Sequence, residues 1–378
     1  MPNLDFLFFD AGGGHRAAAT ALREVCAEKH PEWNIRLVHV QEVLSDFDIF
    51  RRLLGIKTED MYNLVLRKGW TLGSGAMLRG LQFLIRLYHG LQVKYLREFW
   101  QQEPKPDLVV SLIPNFNRSI HEALDRLEKR PHMVTVLTDI ADYPPHFWIE
   151  RKQTQSFICG SAKAEQQALS AGYPRESVFR TSGMILNPRF YNQVEMDRSA
   201  ERSKLGLDPS KPTGLIMFGG YGSPVMENIA AKLEASALDL QLLFICGKNT
   251  KLKARLEAKK FRFPVFIEGF TKEVPHYMRL SDFFIGKPGP GSISEALHLG
   301  LPVIVTKNIL TLPQERYNAD WVLENEVGFV EPHFGKIDNA VGRLLAPGVL
   351  ARYQANARRL NNRAVFEIPE IFERLLGT

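Results

Sequence analysis

Cysteine is scarce in this sequence: its 378 residues include three, Cys26, Cys159 and Cys246, which lie far apart in the chain. An odd number of widely spaced cysteines argues against a disulfide framework and favours a reducing compartment. The sequence also lacks an apolar run of about 20 residues, the length that a membrane-spanning helix needs. Its first apolar run, residues 4–9, leads directly into a glycine loop, so we interpret it as a strand rather than a secretory signal. We therefore expect a cytoplasmic protein whose membrane contact is peripheral, at the inner face of the cell membrane.

Neither the composition nor the charge of the chain is extreme. The hydrophobic fraction of 45% and the charged fraction of 24% are typical of a globular protein, and 378 residues exceed what one core usually supports. We therefore expect two domains. The formal net charge of +6 leaves nucleic acid and an anionic membrane surface open as partners. Because no aromatic residues alternate with the basic ones, we expect no nucleic-acid partner.

Strand-like runs alternate with helical patterns along the whole chain, which predicts parallel sheets covered by helices. The predicted strands are residues 4–9, 35–40, 108–112, 133–137, 156–159, 215–218, 242–246, 265–267, 283–285 and 303–305. A polar stretch at residues 194–212 interrupts this rhythm and is interpreted as a linker. The predicted fold is α/β, with two Rossmann-like doubly wound domains facing a cleft. The first covers residues 1–193 and the second residues 213–378, whose last helix is free to pack back on the first domain.

The most informative run is residues 286–297, where a glycine-rich turn follows an apolar strand and precedes a helix. Free N–H groups and the positive end of the helix dipole suit a diphosphate at this point. Glu295 lies near the start of the same helix, and its carboxylate suits a ribose diol. Two further glycine clusters follow predicted strands, at residues 12–14 and 219–222. Three such loops together favour a ligand site over three structural turns.

The segment from residue 51 to residue 100 has no strand signal and is rich in basic residues. A helical wheel places one group of apolar residues on one face and four basic residues opposite them. The apolar group is Met77, Leu81, Leu84, Tyr88, Leu91, Tyr95 and Phe99, and the basic group is Arg79, Arg86, Lys94 and Arg97. The segment is predicted to form a basic amphipathic helix. It could bind an anionic membrane surface, or its apolar stripe could pack on the domain core.

Several motifs along the chain belong together: Asp10-Ala11-Gly12-Gly13-Gly14-His15-Arg16, Thr138-Asp139, Tyr143-Pro144-Pro145-His146-Phe147-Trp148, the segments 183–190, 245–249 and 268–270, the glycine turn of residues 286–297, and Pro313-Gln314-Glu315-Arg316-Tyr317-Asn318-Ala319. Together they resemble glycosyltransferase family 28, most closely its monogalactosyldiacylglycerol synthases and processive diacylglycerol glucosyltransferases. The segment 183–190 lacks the first proline of the family pattern, Tyr221 interrupts the second glycine loop, and residues 51–100 align with nothing in the family.

The resemblance implies the glycosyltransferase B architecture and an inverting transfer from a UDP-sugar, which is a substrate, so no cofactor is expected. Phe270 would bind uracil through its backbone, Glu295 the ribose, and Gln314 and Glu315 the sugar hydroxyls, with Asn318 supporting that turn. The complete predicted donor set is Gly14, Gly219, Gly220, Gly222, Phe270, Gly289, Gly291, Ser292, Ile293, Glu295, Gln314, Glu315 and Asn318. Lys287 is interpreted as a flanking residue rather than a phosphate ligand. No Asp-x-Asp pair follows a matching strand, so we predict that no metal is used.

The general base that inversion requires is predicted in the first glycine loop. Asp10 is favoured over its alternative role as a loop cap, and His15 is the other candidate. Asp139, His146 and Trp148 are predicted to meet the acceptor, although each could also have a structural role. The expected acceptor is a lipid hydroxyl, with diacylglycerol first.

Two other functions remain open from the sequence. A UDP-N-acetylglucosamine 2-epimerase would share the architecture but need no acceptor, and a non-enzymatic sensor would bind a UDP-sugar without turnover. The sequence does not determine the donor sugar, the exact lipid acceptor, processivity or the oligomeric state.

Overall fold

The computed structural model describes residues 1–10, 13–44, 74–102, 104–193 and 195–377. These divide into two compact units. The first unit comprises Met1–Pro188, Leu312–Gln314 and Asn362–Thr378, and the second comprises Arg189–Thr311 and Glu315–Asn361. The chain therefore passes between the units more than once, and the end of the chain belongs to the first unit.

The first unit contains a parallel sheet whose described strands run in the order β2-β1-β3-β4-β5-β6. They are β1 (Asn3–Phe8), β2 (Asn34–His39), β3 (Leu108–Ser111), β4 (His132–Val136), β5 (Ser156–Cys159) and β6 (Val178–Arg180). Alternate residues of the central strands pack on opposite faces: Leu4 and Phe6 join one core cluster, and Leu7 joins another. A sheet buried on both faces explains the nearly continuous apolar runs of these strands.

The second unit repeats this plan with described strands in the order β12-β11-β10-β7-β8-β9. They are β7 (Thr213–Met217), β8 (Gln241–Ile245), β9 (Val265–Glu268), β10 (Phe283–Gly286), β11 (Val303–Thr306) and β12 (Gly328–Glu331). Here too alternate residues diverge: Leu242 and Phe244 face one core cluster, and Leu243 and Ile245 face the other.

Helices connect the strands in both units. In the first they are α1 (Gly14–Lys29), α2 (Val40–Val43), α3 (Ser74–Leu87), α4 (His89–Trp100), α5 (Asn117–Asp125), α6 (Ala162–Ser170) and, at the end of the chain, α15 (Ala364–Leu376). In the second they are α7 (Arg198–Lys204), α8 (Val225–Ala235), α9 (Thr250–Glu257), α10 (Val274–Arg279), α11 (Pro290–His298), α12 (Arg316–Glu324), α13 (Ile337–Leu344) and α14 (Val349–Arg359). Phe372 of α15 packs edge-on against Phe6 of β1, with 5.8 Å between the ring centroids.

The α/β class and the parallel sheets predicted from the sequence are confirmed. All ten predicted strands are present, whereas β6 and β12 were not predicted. Both are short strands at the edge of a sheet, and their partly exposed residues carry little of the apolar signal that marks a central strand.

The stretch predicted as a linker, residues 194–212, contains α7 and belongs to the second unit from residue 195 onward. Arg202 of α7 is buried. Its guanidinium donates to the Leu280 carbonyl at 2.9 Å and to the Asp282 carboxylate at 2.7 Å. Asp282 in turn accepts from the Thr213 N–H at 2.7 Å. The polar composition of this stretch is typical of a linker, but in the structure its Arg202 side chain forms hydrogen bonds inside the second unit.

The segment of residues 51–100, predicted to form one basic amphipathic helix, also differs from that prediction. Residues 51–73 and the side chain of Met77 lie outside the described residues. The remainder forms two helices, α3 and α4, which separate at Tyr88. His89 at the start of α4 hydrogen-bonds to Ser119 and Glu122 of α5, at 3.0 and 2.8 Å. This packing changes the buried face: Val93, Leu96 and Trp100 are buried on α4, whereas Leu91, which the wheel placed on the apolar face, is exposed.

Candidate functional site

Both sheets have a switch point, where the strand order reverses and where ligands of doubly wound folds usually bind. In the second unit it lies between the neighbouring parallel strands β7 and β10, whose register pairs Met217 with Gly286. Two of the three glycine loops predicted from the sequence follow these two strands. The topology therefore brings the loop at 219–222 and the loop at 286–289 to the same edge of the sheet.

Glycine is required in the loop after β7 for steric reasons. Gly219 and Gly222 have φ angles of +68° and +60°. A Cβ added to Gly222 would lie 2.4 Å from the carbonyl oxygen of Cys246. The Gly220 carbonyl accepts from the Lys248 N–H at 2.8 Å, while the Cα of Gly220 faces open space. The loop is therefore held close to the end of β8 and leaves room for a ligand at Gly220.

The loop after β10 leads into α11 without a side-chain cap. Gly289 is the N-cap, Pro290 occupies the first turn, and no side chain caps the helix. The N–H of Ile293 donates to Gly289 within the chain, and the Ile293 side chain is fully buried, so only its backbone could approach a ligand. The N–H groups of Gly291 and Ser292 are the open donors of this turn, and they suit an anion.

Glu295 lies one turn further along α11. Burial raises the pKa of its carboxyl group from 4.5 to about 7, and no cation among the described residues offsets this effect. Its carboxylate has no hydrogen-bond partner among the residues that the structure describes. A ligand that donates hydrogen bonds would favour its ionised form.

An exposed aromatic pair lies at the ends of β7 and β9. The Lys248 ammonium is 5.8 Å from the ring centroid of Tyr221 and 5.3 Å from that of Phe270, and Phe270 is 60% exposed. The family resemblance implied that the Phe270 backbone binds uracil. The structure adds that a large, open aromatic face is available beside it.

The predicted sugar-binding residues lie at the start of α12. Gln314 is half-buried in a 3-10 turn, Pro313–Glu315, and Glu315 is buried and pairs with Lys287 at 3.1 Å. Asn318 is fully buried, and its side-chain N–H donates to the Pro288 carbonyl at 2.8 Å. Asn318 thus ties α12 to the glycine loop after β10, whereas its expected support of the turn that carries Gln314 and Glu315 stays a prediction.

In the first unit the switch point lies between β1 and β3. His15, in the first turn of α1, lies beside this point, and its Nδ1 is 3.0 Å from the Thr138 hydroxyl. Burial lowers the pKa of the His15 imidazole to about 4 and outweighs a backbone hydrogen bond at Leu112, which raises it. His15 is therefore neutral at physiological pH, and its ring is held in place.

Asp10 follows β1 and forms an ion pair with Arg16 of α1. About a third of its side chain is exposed, so it remains accessible to a ligand. Gly14 begins α1 in this first unit, whereas the other predicted donor residues except Gln314 belong to the second.

The remaining predicted acceptor residues lie between β4 and β5. Trp148 is completely buried, and its indole N–H donates to Asp139 at 2.8 Å. Its ring centroid is 5.9 Å from that of His15, so Trp148 supports His15 and has no exposed surface for an acceptor. Asp139 is likewise buried. His146 is 41% exposed and pairs with Glu150 at 2.6 Å, which leaves it the most accessible of the three.

Sequence reasoning missed two contacts in these sites. One is the Thr138 hydroxyl, which fixes His15 although it is 123 residues away. The Thr138-Asp139 motif marked that position without indicating its partner. The other is the ion pair between Lys287 and Glu315, for which the lysine beside the Gly-Pro-Gly turn was the available signal.

Within the described ranges, no helix is long and apolar enough to cross a membrane. In the same part of the chain, no three His, Cys, Asp or Glu side chains gather as metal ligands would. Metal independence stays a prediction from the sequence.

Comparison with known proteins identifies the family. The model of the glycosyltransferase family 28 C-terminal domain matches residues 218–320. The chain is 30% identical to the probable monogalactosyldiacylglycerol synthase 2, chloroplastic, of Oryza sativa subsp. indica, across 99% of this chain and 80% of that protein.

Two solved structures share the fold. MurG of Acinetobacter baumannii has a TM-score of 0.65 at 11% identity and covers 99% of this chain and 100% of its own. Anabaena HepE, in complex with UDP-glucose, has a TM-score of 0.56 at 15% identity, with both chains covered completely. The chain belongs to glycosyltransferase family 28 and is a glycosyltransferase with the B-type fold.

Proposed function

We propose that this glycosyltransferase transfers a hexose from a UDP-sugar to a lipid hydroxyl, with diacylglycerol as the acceptor and inversion at the anomeric carbon. The observation that carries the donor assignment is the β10–α11 turn, where open N–H groups at Gly291 and Ser292 lie one helical turn before the carboxylate of Glu295. An anion and a diol are the two features that a nucleoside diphosphate combines. The relative from Oryza sativa supports a galactolipid class of product, and the HepE complex supports UDP-sugar in this fold.

The chemistry assigns one step to each unit. The acceptor hydroxyl attacks the anomeric carbon, the bond from that carbon to the β-phosphate oxygen breaks, and the electron pair leaves with UDP. Asp10 of the first unit takes the hydroxyl proton, while the N–H groups of Gly291 and Ser292 stabilise the charge on the leaving diphosphate. Neutral His15 fixes the acceptor loop through Thr138.

A UDP-release assay tests this function. The protein is incubated with UDP-glucose, UDP-galactose or UDP-N-acetylglucosamine, each with diacylglycerol, ceramide, a lipid A precursor or no acceptor. We expect release with one donor that depends on diacylglycerol, and a product of inverted configuration. A C2 epimer formed from UDP-N-acetylglucosamine alone would instead make the protein an epimerase. Tight binding of a UDP-sugar without release under any condition would make it a sensor.

A lipid acceptor requires contact with a membrane, and α3 offers a surface for it. Its exposed stripe consists of Arg79, Phe83, Arg86 and Leu87, with Leu91 following on α4. Phe83 and Leu87 are 65% and 61% exposed. Apolar side chains between arginines suit the boundary between acyl chains and anionic headgroups. We include peripheral binding of this stripe to an anionic membrane in the proposed function.

The inner side of α3 contacts the candidate acceptor region. Gln82 donates to the Asn115 side chain at 3.0 Å and to the Pro145 carbonyl at 3.2 Å. Leu78 packs against the cluster that contains Trp148. A membrane-bound α3 would therefore hold these loops close to the lipid surface.

Removing the two arginines of this stripe should weaken binding to anionic vesicles. Each basic residue near such a surface contributes about 1 kcal/mol, so R79A/R86A is expected to bind about 30-fold more weakly in co-sedimentation with phosphatidylglycerol vesicles. The matched control is K232A/K251A, which removes two exposed lysines from the second unit. Binding that is independent of anionic lipid, or equal for both double variants, would contradict the proposed surface.

A further inference from the structure

Lys287 lies at the point where the two glycine loops of the second unit meet. It follows β10 directly, and its side chain extends between the loop backbones. A Cβ added to Gly289 would lie 3.3 Å from Lys287 Cε, and one added to Gly219 would lie 3.8 Å from the same atom. These distances place a cation beside both loops that are proposed to bind the diphosphate.

Glu315 holds this cation in position. Lys287 Nζ is 3.1 Å from Glu315 Oε1, and the Glu315 side chain is only 10% exposed. A buried carboxylate needs a partner for its charge, and Lys287 provides it. The Lys287 side chain is itself 40% exposed, and an ammonium group has three donors. Pairing with Glu315 therefore leaves Lys287 able to bind a second anion.

We propose that Lys287 binds the β-phosphate of the donor and stabilises the leaving UDP, with Glu315 as the group that positions it. This inference rests on the proposed function. Negative charge on the β-phosphate grows as the bond to the anomeric carbon breaks, so a fixed ammonium stabilises the transition state more than the bound donor. The contact with Glu315 and the approach to both loops favour this role over the interpretation of Lys287 as a flanking residue.

Under this proposal, one ion pair would contact the groups on both sides of the breaking bond. Glu315 is predicted to accept hydrogen bonds from the sugar, and Lys287 is assigned to the phosphate that departs from it. When the donor is bound, the pair would contact both parts of the molecule. Glu315 thus positions Lys287 in addition to its predicted contact with the sugar.

The test must separate phosphate binding from the structural need of Glu315 for a cation. Lys287→Met alone would leave a buried carboxylate without its partner, so the informative comparison is the double variant K287M/E315Q against E315Q. Both lack the charge at position 315, and they differ only in the ammonium. The control is K211M, because Lys211 forms an ion pair with an exposed carboxylate, Asp239, 2.7 Å away, before the amino ends of β7 and β8.

Calorimetry with UDP, UMP and uridine then measures how much the contact between Lys287 and the β-phosphate contributes to binding. Relative to E315Q, K287M/E315Q is expected to bind UDP at least 10-fold more weakly, and to bind UMP and uridine within twofold. Its kcat for UDP release is expected to fall at least 100-fold relative to E315Q, with partial recovery in K287R/E315Q. K211M should bind all three ligands as the unmodified protein does.

Two results would overturn the inference and a third would overturn its basis. Equal losses for UDP, UMP and uridine would give Lys287 a structural role only. Unchanged UDP binding and kcat in K287M/E315Q would exclude the phosphate contact while leaving the proposed function intact. Failure of the unmodified protein to bind UDP would reject the proposed function itself.

Discussion

Replacement of Glu295 by alanine is expected to weaken the binding of UDP about 100-fold. Two ribose hydroxyls would donate to one carboxylate, and hydrogen bonds to a charged group contribute about 1.5–3 kcal/mol each. A loss of about 2.7 kcal/mol corresponds to the 100-fold change. Calorimetry with UDP measures it. Glu257→Ala, on helix α9, is the control because this carboxylate is exposed and pairs only weakly with Lys253, at 3.6 Å. Binding of UDP by E295A within threefold of the unmodified protein would contradict the donor site.

The raised pKa of Glu295 gives this prediction a pH dependence. Because the pKa is about 7 in the free protein, the ionised fraction rises from about one tenth at pH 6 to about nine tenths at pH 8. Ribose hydroxyls donate best to the ionised form, so affinity should increase up to about tenfold over this range. Uridine is the suitable ligand, since it carries no phosphate that titrates nearby. E295Q should show a flat profile.

The free energy of unfolding should change with pH in the direction opposite to the affinity for uridine. A carboxyl group whose pKa is raised by folding destabilises the protein as pH rises from its unfolded value of 4.5 through about 7. The difference corresponds to about 3 kcal/mol at most. Denaturant unfolding should therefore find E295Q more stable than the unmodified protein at pH 8, and the two should differ much less at pH 5. Glu295 would therefore lower the stability of the free protein in the pH range where its ionised form binds the ligand best.

Replacement of Asp10 by asparagine is expected to lower kcat about 1,000-fold with little change in UDP affinity. A positioned general base contributes about 100-fold to 10,000-fold, and the amide cannot take the proton. The shape of the side chain and a hydrogen bond with Arg16 would remain. The measurement is UDP release at saturating donor and acceptor, together with calorimetry to confirm that the donor site is intact. The control is Asp107→Asn. Asp107 lies before the amino end of β3, and its carboxylate also forms an ion pair, with Lys129.

His15→Ala decides between the two candidates for the base. Because burial holds the pKa of His15 near 4 and Thr138 engages its Nδ1, we expect the smaller loss from this variant, about 10-fold, through poorer placement of the loop. A 1,000-fold loss in H15A combined with near-normal turnover in D10N would transfer the role of base to His15.

Much of the fold was predictable because its signals are local. Parallel strands buried on both faces read as short apolar runs, and the glycine loops follow them where the topology later places its switch points. The division of α3 from α4 was not predictable in this way. It depends on hydrogen bonds from His89 to α5, whose residues lie about 30 positions away.

The sites show the same distinction. Glu295 and the open turn before it are adjacent in sequence, so one motif contained both. Trp148 was predicted to meet an acceptor, but it is buried in a core cluster. That burial depends on packing against residues outside its motif, so the motif could not indicate it. The pairing of Lys287 with Glu315 joins two loops 28 residues apart, and neither loop alone indicates it.

Helix α15 has a consequence for how the protein is made. It covers the β1 side of the first sheet with Ile368, Ile371 and Phe372, which are separated by the whole second unit from the strands that they protect. During synthesis those strands emerge from the ribosome before the second unit, and the residues that complete their core emerge after it. The first sheet must therefore wait, with part of its apolar face uncovered, until the second unit has been translated.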